Sequence, residues 1–224
     1  MAKARSGTYY FLLCQAWWPG VKTVQPRRLQ LGAFDQVHDG WLNTDVTPHL
    51  LLARVPGAPA LLHQLGLIGA ERLEAYRSGA FRALRYLDVS RPFRFPDDIF
   101  ECVFASHLLE HLHPDVAERC LREVHRVLAP GGVVRLCTPD LDSIVAEYDP
   151  EEPDRFLWSI FQGRERRTRG QHRHWWHYNS RSLPALLRRI GFSEVEVVDY
   201  RQGRCPDLEV IDNRPGSLFV EATK

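Results

Sequence analysis

The sequence has little sulfur and none of the cysteine spacings that hold metals or disulfide frameworks. Its five cysteines, at positions 14, 102, 120, 137 and 205, include no CxxC pair and lie mostly in apolar runs. Scattered cysteines of this kind favour buried thiols in a reducing compartment. We therefore expect a cytoplasmic protein.

Long apolar runs and an excess of charge are also missing. The N-terminal run YYFLLCQAWWPGV is shorter than the roughly 20 residues that span a bilayer, and the basic start MAKAR is not followed by a clean small-residue cleavage site. A net charge of +1 gives no general attraction to nucleic acid or to a membrane, and we expect neither as a partner. For the apolar, aromatic extension at residues 1–27, three roles stay open: packing over the sheet, covering the cofactor site and forming a homodimer contact.

Apolar runs punctuated by glycine, proline or an acid predict five strands: LQLG at 29–32, WLNTDV at 41–46, LRYLDV at 84–89, ECVFASHLL at 101–109 and GVVRLCTP at 132–139. Between the last two, apolar residues at helical spacing predict a helix over 116–128, after Pro114 and before Gly131. A strand, a helix and a strand in this order indicate a parallel sheet covered by helices.

The remaining segments complete a single α/β domain. Residues 57–83 and 140–190 are predicted to be mainly helical, and the polar stretch GRERRTRGQHRHWWHY interrupts the second of these regions. SEVEVVDY and SLFVEATK, near the end of the chain, are predicted strands that pair antiparallel at the sheet's edge.

Polar residues and a glycine stand where the predicted strands end. Gly32, Asp45, Asp88 and the pair Ser106-His107 follow the first four strands. Ligands of open parallel sheets bind beyond the carboxyl ends of the strands. Acids after the second and third strands suit a ribose and an adenine, so the set indicates an adenosine site without a phosphate clamp. Taken singly, Asp88 also fits a turn cap, and Gly32 a plain strand terminator.

These positions belong to a sequence that resembles a known family, the class I S-adenosylmethionine-dependent methyltransferases of the type 11 branch. The family's central run is similar to residues 88–141, DVSRPFRFPDDIFECVFASHLLEHLHPDVAERCLREVHRVLAPGGVVRLCTPDL. Its cofactor loop resembles LQLGAFDQVHDGWLNTD, and its last strand resembles DNRPGSLFVEATK. The resemblance spans most of residues 28–224.

The resemblance implies a Rossmann-like fold with a mostly parallel seven-stranded sheet, an antiparallel edge strand and helices on both faces. This domain would occupy residues 28–224, with a helical insertion at 49–83 and an acceptor-covering segment at 149–180. The implied cofactor is S-adenosylmethionine, which leaves as S-adenosylhomocysteine, and no metal is expected. The resemblance implies that Gly32, Ala33 and Phe34 contact the methionine part of the cofactor and that Asp45 holds the ribose hydroxyls. It also implies that Asp88 and Val89 contact the adenine, and that Ser106 and His107 lie beneath the sulfonium.

The loop after the first strand departs from the family's pattern. Phe34 stands near the place of a second glycine, and phenylalanine favours neither close backbone approach nor a positive φ. The linker from Gly32 to Trp41 is too short for a crossover helix, so at most one helical turn is expected there.

Histidines supply the candidate proton acceptors. His107, Glu110 and His111 have the spacing of one helix face after the fourth strand, and imidazole accepts a proton near neutral pH. His107 and His111 are therefore candidate catalytic residues, and His107, nearest the strand end, is the stronger one. Glu110 and His111 equally suit bracing of the following loop.

A second group of histidines and aromatic residues lies in QHRHWWHYN at 171–179. Its spacing is not that of a zinc site, so we interpret it as an acceptor wall formed by His174, Trp175, His177 and Tyr178. The basic stretch GRERRTRG before it suits either a solvated loop or recognition of an anionic acceptor.

The hypothesis from the sequence is methyl transfer to an oxygen or nitrogen of a small polar metabolite that is anionic or contains a sugar. Two alternatives stay open: a non-catalytic relative that acts as a partner or scaffold, and a related enzyme that uses the cofactor for a different reaction.

Overall fold

The computed structural model describes residues 26–161 and 173–224. Most of the N-terminal extension, the basic stretch GRERRTRG and His172 therefore lie outside the described residues. Within residues 26–161 and 173–224, no helix combines the length and the apolar character needed to cross a membrane.

In the described part of the chain, seven strands form one sheet in the order β3-β2-β1-β4-β5-β7-β6. β7 runs antiparallel to both of its neighbours, and the other pairs are parallel. The predicted α/β class is confirmed, and the final two strands pair antiparallel at one side of the sheet, with β6 outermost. The strands are β1 Arg28–Leu31, β2 Leu42–Asp45, β3 Arg85–Tyr86, β4 Phe100–Ser106, β5 Leu128–Thr138, β6 Ser193–Val198 and β7 Leu218–Thr223.

The strand register brings all the predicted ligand positions to one edge. Leu31 pairs with Thr44 on one side and with Ala105 on the other, so β1, β2 and β4 end level with one another. The antiparallel β7 begins at this same edge, because its first residue, Leu218, pairs with Thr138 at the end of β5. The loops after β1, β2, β3 and β4 consequently lie side by side.

Helices surround the sheet: α1 His49–Leu52, α2 Ala58–Gln64, α3 Ala70–Arg77, α4 Ala80–Ala83, α5 Pro114–Val127, α6 Leu141–Ala146, α7 Pro153–Phe161, α8 Ser182–Ile190 and α9 Leu208–Ile211. The predicted amphipathic helix is α5, which buries Ala117, Cys120, Leu121, Val124 and Val127. Burial of each larger apolar side chain stabilises the fold by about 1.5–3 kcal/mol. The predicted helical insertion contains α1 to α4.

Three strand boundaries differ from the predictions by about three residues or more. β3 is only two residues long, because the chain turns at Asp88, whose carboxylate accepts the amide of Ser90. β4 ends at Ser106 because His107 adopts a φ of +49°. β5 already begins at Leu128: a register shift opposite Phe100, together with Gly131 at φ +78°, lets the chain stay paired through the predicted turn.

An ion network joins β5 and β7 to the chain on both sides of α9. Arg135 is fully buried and pairs with Asp212 and with Glu221, whose Oε1 lies 2.9 Å from its Nη1. Glu221 also accepts the backbone amides of Arg204 and Cys205. The network holds residues 199–213 against one face of the sheet.

Candidate functional site

The turn after β1 is fastened to the acid that ends β2. Gly32 has a φ of +66°, and a Cβ there would lie 3.0 Å from the Leu108 side chain, so the position suits glycine. The amide of Ala33 donates to Thr44 O, and the amide of Phe34 donates to Asp45 Oδ2 at 2.9 Å. As expected, no helix occurs among the described residues between Gly32 and Trp41.

Phe34 does adopt a positive φ, of +49°, contrary to the expectation for phenylalanine. Its ring packs edge-on against Phe81 and His49, at centroid distances of 5.9 and 6.0 Å. The Arg72 guanidinium covers the ring at 4.2 Å and pairs with Asp35. The ring therefore belongs to the core of the helical insertion, while the Phe34 backbone stays at the turn.

The carboxylate of Asp45 is half-buried and accepts two backbone amides, from Phe34 and, at 2.6 Å, from Thr47. A carboxylate has about four lone-pair positions, so Asp45 keeps accepting capacity for hydroxyl groups.

Asp88 and Val89 follow β3. Asp88 accepts the hydroxyl of Ser90 at 2.6 Å and lies 3.0 Å from Arg91 Nε. Hydrogen bonding from Ser90, aided by Arg91, lowers the pKa of Asp88. Val89 is half-buried against the main core. Asp88 thus caps a turn while staying at the ligand edge, and the turn role does not exclude an adenine contact.

Ser106 and His107 end β4. His107 Nδ1 lies 3.0 Å from Glu110 Oε1, and Nε2 lies 3.0 Å from Ser217 Oγ at the start of β7. Burial disfavours the imidazolium, but contacts with Cys137 and Glu110 outweigh it and raise the pKa of His107 to about 9. Near neutral pH this ring is therefore an imidazolium that is hydrogen-bonded to Ser217 through Nε2 and lies at ion-pair distance from Glu110 through Nδ1.

Glu110 is the most deeply buried acid at this edge, with no exposed side-chain surface. Neither of its carboxylate oxygens has a hydrogen-bond partner among the described residues. The nearby His107 Nδ1 is at ion-pair distance but not aligned for a hydrogen bond. Burial alone would raise the pKa of Glu110, but His107 lowers it below its usual value, so the group is a buried carboxylate.

His111 does not share a helix face with His107, contrary to the sequence interpretation. Only Leu109–His111 is helical, as one 3₁₀ turn, because the positive φ of His107 breaks the chain direction before it. His111 instead faces His174, with ring centroids 4.9 Å apart. His113 is exposed and pairs with Asp115.

The segment 173–178 packs against this turn. The amides of Trp175 and Trp176 donate to Glu110 O at 2.7 and 3.3 Å. His174 is buried, and burial lowers its pKa to about 4. The two tryptophan side chains are about half exposed, and Arg173 stacks on Trp175.

Two further residues of the predicted acceptor wall lie beside His174. The His177 ring is 5.0 Å from that of His174, and its Nε2 donates to Ile160 O. Tyr178 is buried, and its hydroxyl has no partner among the residues that the structure describes. Burial raises the pKa of Tyr178 to about 12. The segment thus presents an aromatic outer face and an imidazole-rich inner one.

Sequence reasoning missed Ser217 and the place of His174 next to Glu110. Ser217 had no signal of its own, although a residue at the start of an antiparallel β7 must lie at the ligand edge. The contact of His174 with Glu110 depends on backbone hydrogen bonds, which side-chain spacing does not reveal.

The strand ends fit a phosphate-free adenosyl cofactor. Gly32 keeps the turn free of a side chain, and Asp45 and Asp88 place two carboxylates at the same edge. These features suit hydroxyl and amino groups better than phosphate.

Comparison with known families gives a match to a model described as "Methyltransferase domain", over residues 53–197. The match covers more than half of the chain but leaves Gly32 and Asp45 outside it. No curated protein matches the sequence.

Solved structures share the fold at low identity. An S-adenosylmethionine-dependent methyltransferase from Mesorhizobium loti is 21% identical, with a TM-score of 0.50 and coverage of 97% of this chain and 99% of that one. Phosphoethanolamine N-methyltransferase 2 of Haemonchus contortus, with phosphomonomethylethanolamine and S-adenosylhomocysteine, is 13% identical, with a TM-score of 0.50 and coverage of 97% and 52%.

PigF with S-adenosylhomocysteine is 13% identical, with a TM-score of 0.50 and coverage of 88% of this chain and 50% of that one. The chain thus spans about half the length of several of the structures that it matches. At these identities the likeness shows the fold, and the match over residues 53–197 shows the family. The chain therefore belongs to the family of proteins with a methyltransferase domain.

Proposed function

We propose that this enzyme methylates an oxygen or nitrogen atom of a small polar acceptor at the carboxyl edge of its sheet. One observation carries the proposal. Gly32, Asp45 and Asp88, which are proposed to contact the cofactor, lie at the same carboxyl edge of the sheet as the buried Glu110 and His174. A cofactor bound at this edge would bring its methyl group near these polar side chains. The near-zero net charge supports a small molecule rather than nucleic acid as the acceptor.

The proposed cofactor contacts follow the loops. The methionine part of the cofactor faces Gly32, Ala33 and the Phe34 backbone, and its ribose hydroxyls face Asp45. The adenine faces Asp88 and Val89, and the sulfonium end faces Ser106 and His107. S-adenosylmethionine, when bound, supplies an electrophilic methyl group that needs only an aligned nucleophile. Alignment of this kind accounts for a large part of the rate gain in group transfer.

The proposed acceptor contacts are made by His174, Trp175, His177 and Tyr178. The half-exposed Trp175 offers a flat apolar face for a ring or sugar, and the inner histidines offer hydrogen bonds. Of the two candidate proton acceptors, His111 is favoured, because its Nδ1 donates to Arg173 O and leaves Nε2 as the basic atom. His107 has the proposed role of orienting Glu110.

Isothermal titration with S-adenosylmethionine and S-adenosylhomocysteine tests the proposal. We expect wild-type protein to bind both, and Asp45→Asn to bind at least tenfold more weakly, since a charge-assisted hydrogen bond contributes roughly 1.5–3 kcal/mol. The matched control is Asp39→Asn, an exposed acid in the same loop, which should bind like wild type. Absence of binding of either ligand at millimolar concentration would refute the proposal.

Acceptor classes are then separated with methyl-labelled cofactor and two pools, one of anionic and one of neutral sugar-containing metabolites. Label should enter a small molecule whose mass rises by one methyl group. Transfer only to macromolecules in a control extract would contradict a small-molecule acceptor.

A further inference from the structure

Glu110, His111 and His174 each bring one ligand-type atom to a common point, and these atoms lie within 4.8 Å of one another. Ligand atoms around a transition-metal ion at about 2.1 Å are roughly 3.0–3.4 Å apart, so side-chain rotations that close the cluster by about 1.5 Å suffice. We propose that Glu110, His111 and His174 bind a divalent transition-metal cation beside the acceptor pocket. The separation of the donors in sequence concealed this site, since the spacing within residues 171–179 is not that of a metal motif.

Glu110 provides the first argument, because its carboxylate is fully buried and lacks a hydrogen bond from the described part of the chain. A buried charge without hydrogen bonds is strongly disfavoured unless a cation accompanies it. His107 Nδ1 lies 3.0 Å from Oε1 but makes no hydrogen bond to it. Both carboxylate oxygens therefore keep lone pairs for a metal ion, and a ligating carboxylate that also contacts a donor is usual at metal sites.

The two imidazoles provide the second argument, because each has a nitrogen suited to a metal. The Nδ1–H of His111 donates to Arg173 O at 3.2 Å, which fixes the tautomer with a lone pair on Nε2. A backbone carbonyl that holds the other ring nitrogen is typical of metal-binding histidines. Nδ1 of the buried His174 has no partner among residues 26–161 and 173–224.

Backbone contacts hold the ligands together before any ion arrives. The amides of Trp175 and Trp176 both donate to Glu110 O, and Leu141 N donates to Tyr178 O at 2.9 Å. The segment that carries His174 is thus tied to the 3₁₀ turn and to α6. A preformed site of this kind binds with little loss of backbone freedom.

The donor set indicates the class of ion. Two imidazoles and one carboxylate favour Zn²⁺, Mn²⁺, Fe²⁺ or Co²⁺ over Ca²⁺ and Mg²⁺, which prefer oxygen ligands. Three protein ligands leave at least one coordination position open. In the part of the inference that rests on the proposed function, this position would take an oxygen or nitrogen of the acceptor. The ion would lower the pKa of a bound hydroxyl, whose proton would pass to solvent water before the methyl group is transferred. His111 is then a ligand, and the ion replaces it in activating the acceptor.

The test uses tag-free, chelator-treated full-length protein titrated calorimetrically with Zn²⁺ and, separately, with Mn²⁺. We expect one ion of at least one of these metals per chain, with binding weakened at least tenfold in Glu110→Gln, His111→Gln and His174→Gln. The matched control is His113→Gln, which removes an exposed histidine two residues beyond His111 and should bind like wild type. Circular dichroism checks the fold of each variant. If Glu110→Gln does not fold, the His111→Gln variant decides the test, because His111 is only half-buried.

Two results would overturn the site: no binding of either metal by wild type, or affinities that are unchanged in the folded ligand variants. The second result places the ion on other residues. S-adenosylhomocysteine titrated into the same samples separates the two proposals. Cofactor binding without metal binding refutes the cation site alone, and metal binding without cofactor binding refutes the proposed function alone.

Discussion

The backbone amide of Phe34 donates a hydrogen bond to Oδ2 of Asp45 over 2.9 Å. This bond joins the turn after β1 to the end of β2, and it requires the Phe34 backbone to point inward while the ring points into the helical insertion. Phe34, which stands in the place of a glycine, therefore has two separable properties: a left-handed backbone conformation and a packed ring. Substitutions can remove the two properties separately.

Phe34→Gly and Phe34→Ala separate these properties. Both remove the ring that packs on Phe81 and under Arg72, and we expect both to lower the free energy of unfolding by about 2–4 kcal/mol. Only glycine relieves the positive φ, so the glycine variant should be more stable than the alanine variant by about 1 kcal/mol. Urea denaturation measures the difference. Equal stabilities, or a more stable alanine variant, would show that the left-handed backbone carries no strain.

Gly32→Ala is predicted to weaken S-adenosylhomocysteine binding about tenfold, or about 1.4 kcal/mol. A Cβ there adds crowding against Leu108, at 3.0 Å, to the cost of a positive φ. Gly40→Ala is the matched control, since its φ of +78° imposes the same backbone cost but a Cβ there meets no described atom within 4 Å. Titration should show near wild-type affinity for the control. Equal losses in both variants would contradict a role for Gly32 at the ligand edge.

The ends of the strands could be predicted from the sequence, but the conformation of the turn after β4 could not. Gly32, Asp45 and His107 lie at one edge because hydrophobic period and glycine or proline punctuation locate strand ends, and parallel register aligns them. The helix face expected for His107 and Glu110 failed, because nothing in SHLLEHL signals a positive φ at a histidine. His107 and Glu110 nevertheless meet, through a sharp turn instead of a helix.

The burial of Arg135 in β5 is another feature that could not be predicted from the local sequence. VVRLC has the composition of a central strand, and nothing in it reveals that Arg135 is fully buried, because its carboxylate partners lie 77 and 86 residues further along the chain. Charge pairing at such a distance is a tertiary property, whereas the local pattern reports only that the strand is covered.

The four cysteines that the structure describes are predicted to be unreactive in the folded protein. Those at 102, 120, 137 and 205 are buried, and burial raises the pKa of Cys120 to about 12. In a Cys14→Ser background, a thiol reagent should modify the native protein only as fast as it unfolds, and should reach four equivalents in guanidinium. Rapid reaction of a full equivalent under native conditions would contradict the burial of these residues.

Arg135→Met should destabilise the protein more than any surface charge change, by about 3–5 kcal/mol, because it leaves the buried Asp212 and Glu221 without their cation. The matched control is Arg122→Met, which removes an arginine of α5 that is 52% exposed and paired with Glu118, and should change stability by only about 0–1 kcal/mol. Chemical denaturation compares the two. Adding Asp212→Asn to Arg135→Met should recover part of the loss, since one uncompensated buried charge is then removed. A small effect of Arg135→Met, or a further loss in the double variant, would show that the network does not hold residues 199–213 in the way its contacts indicate.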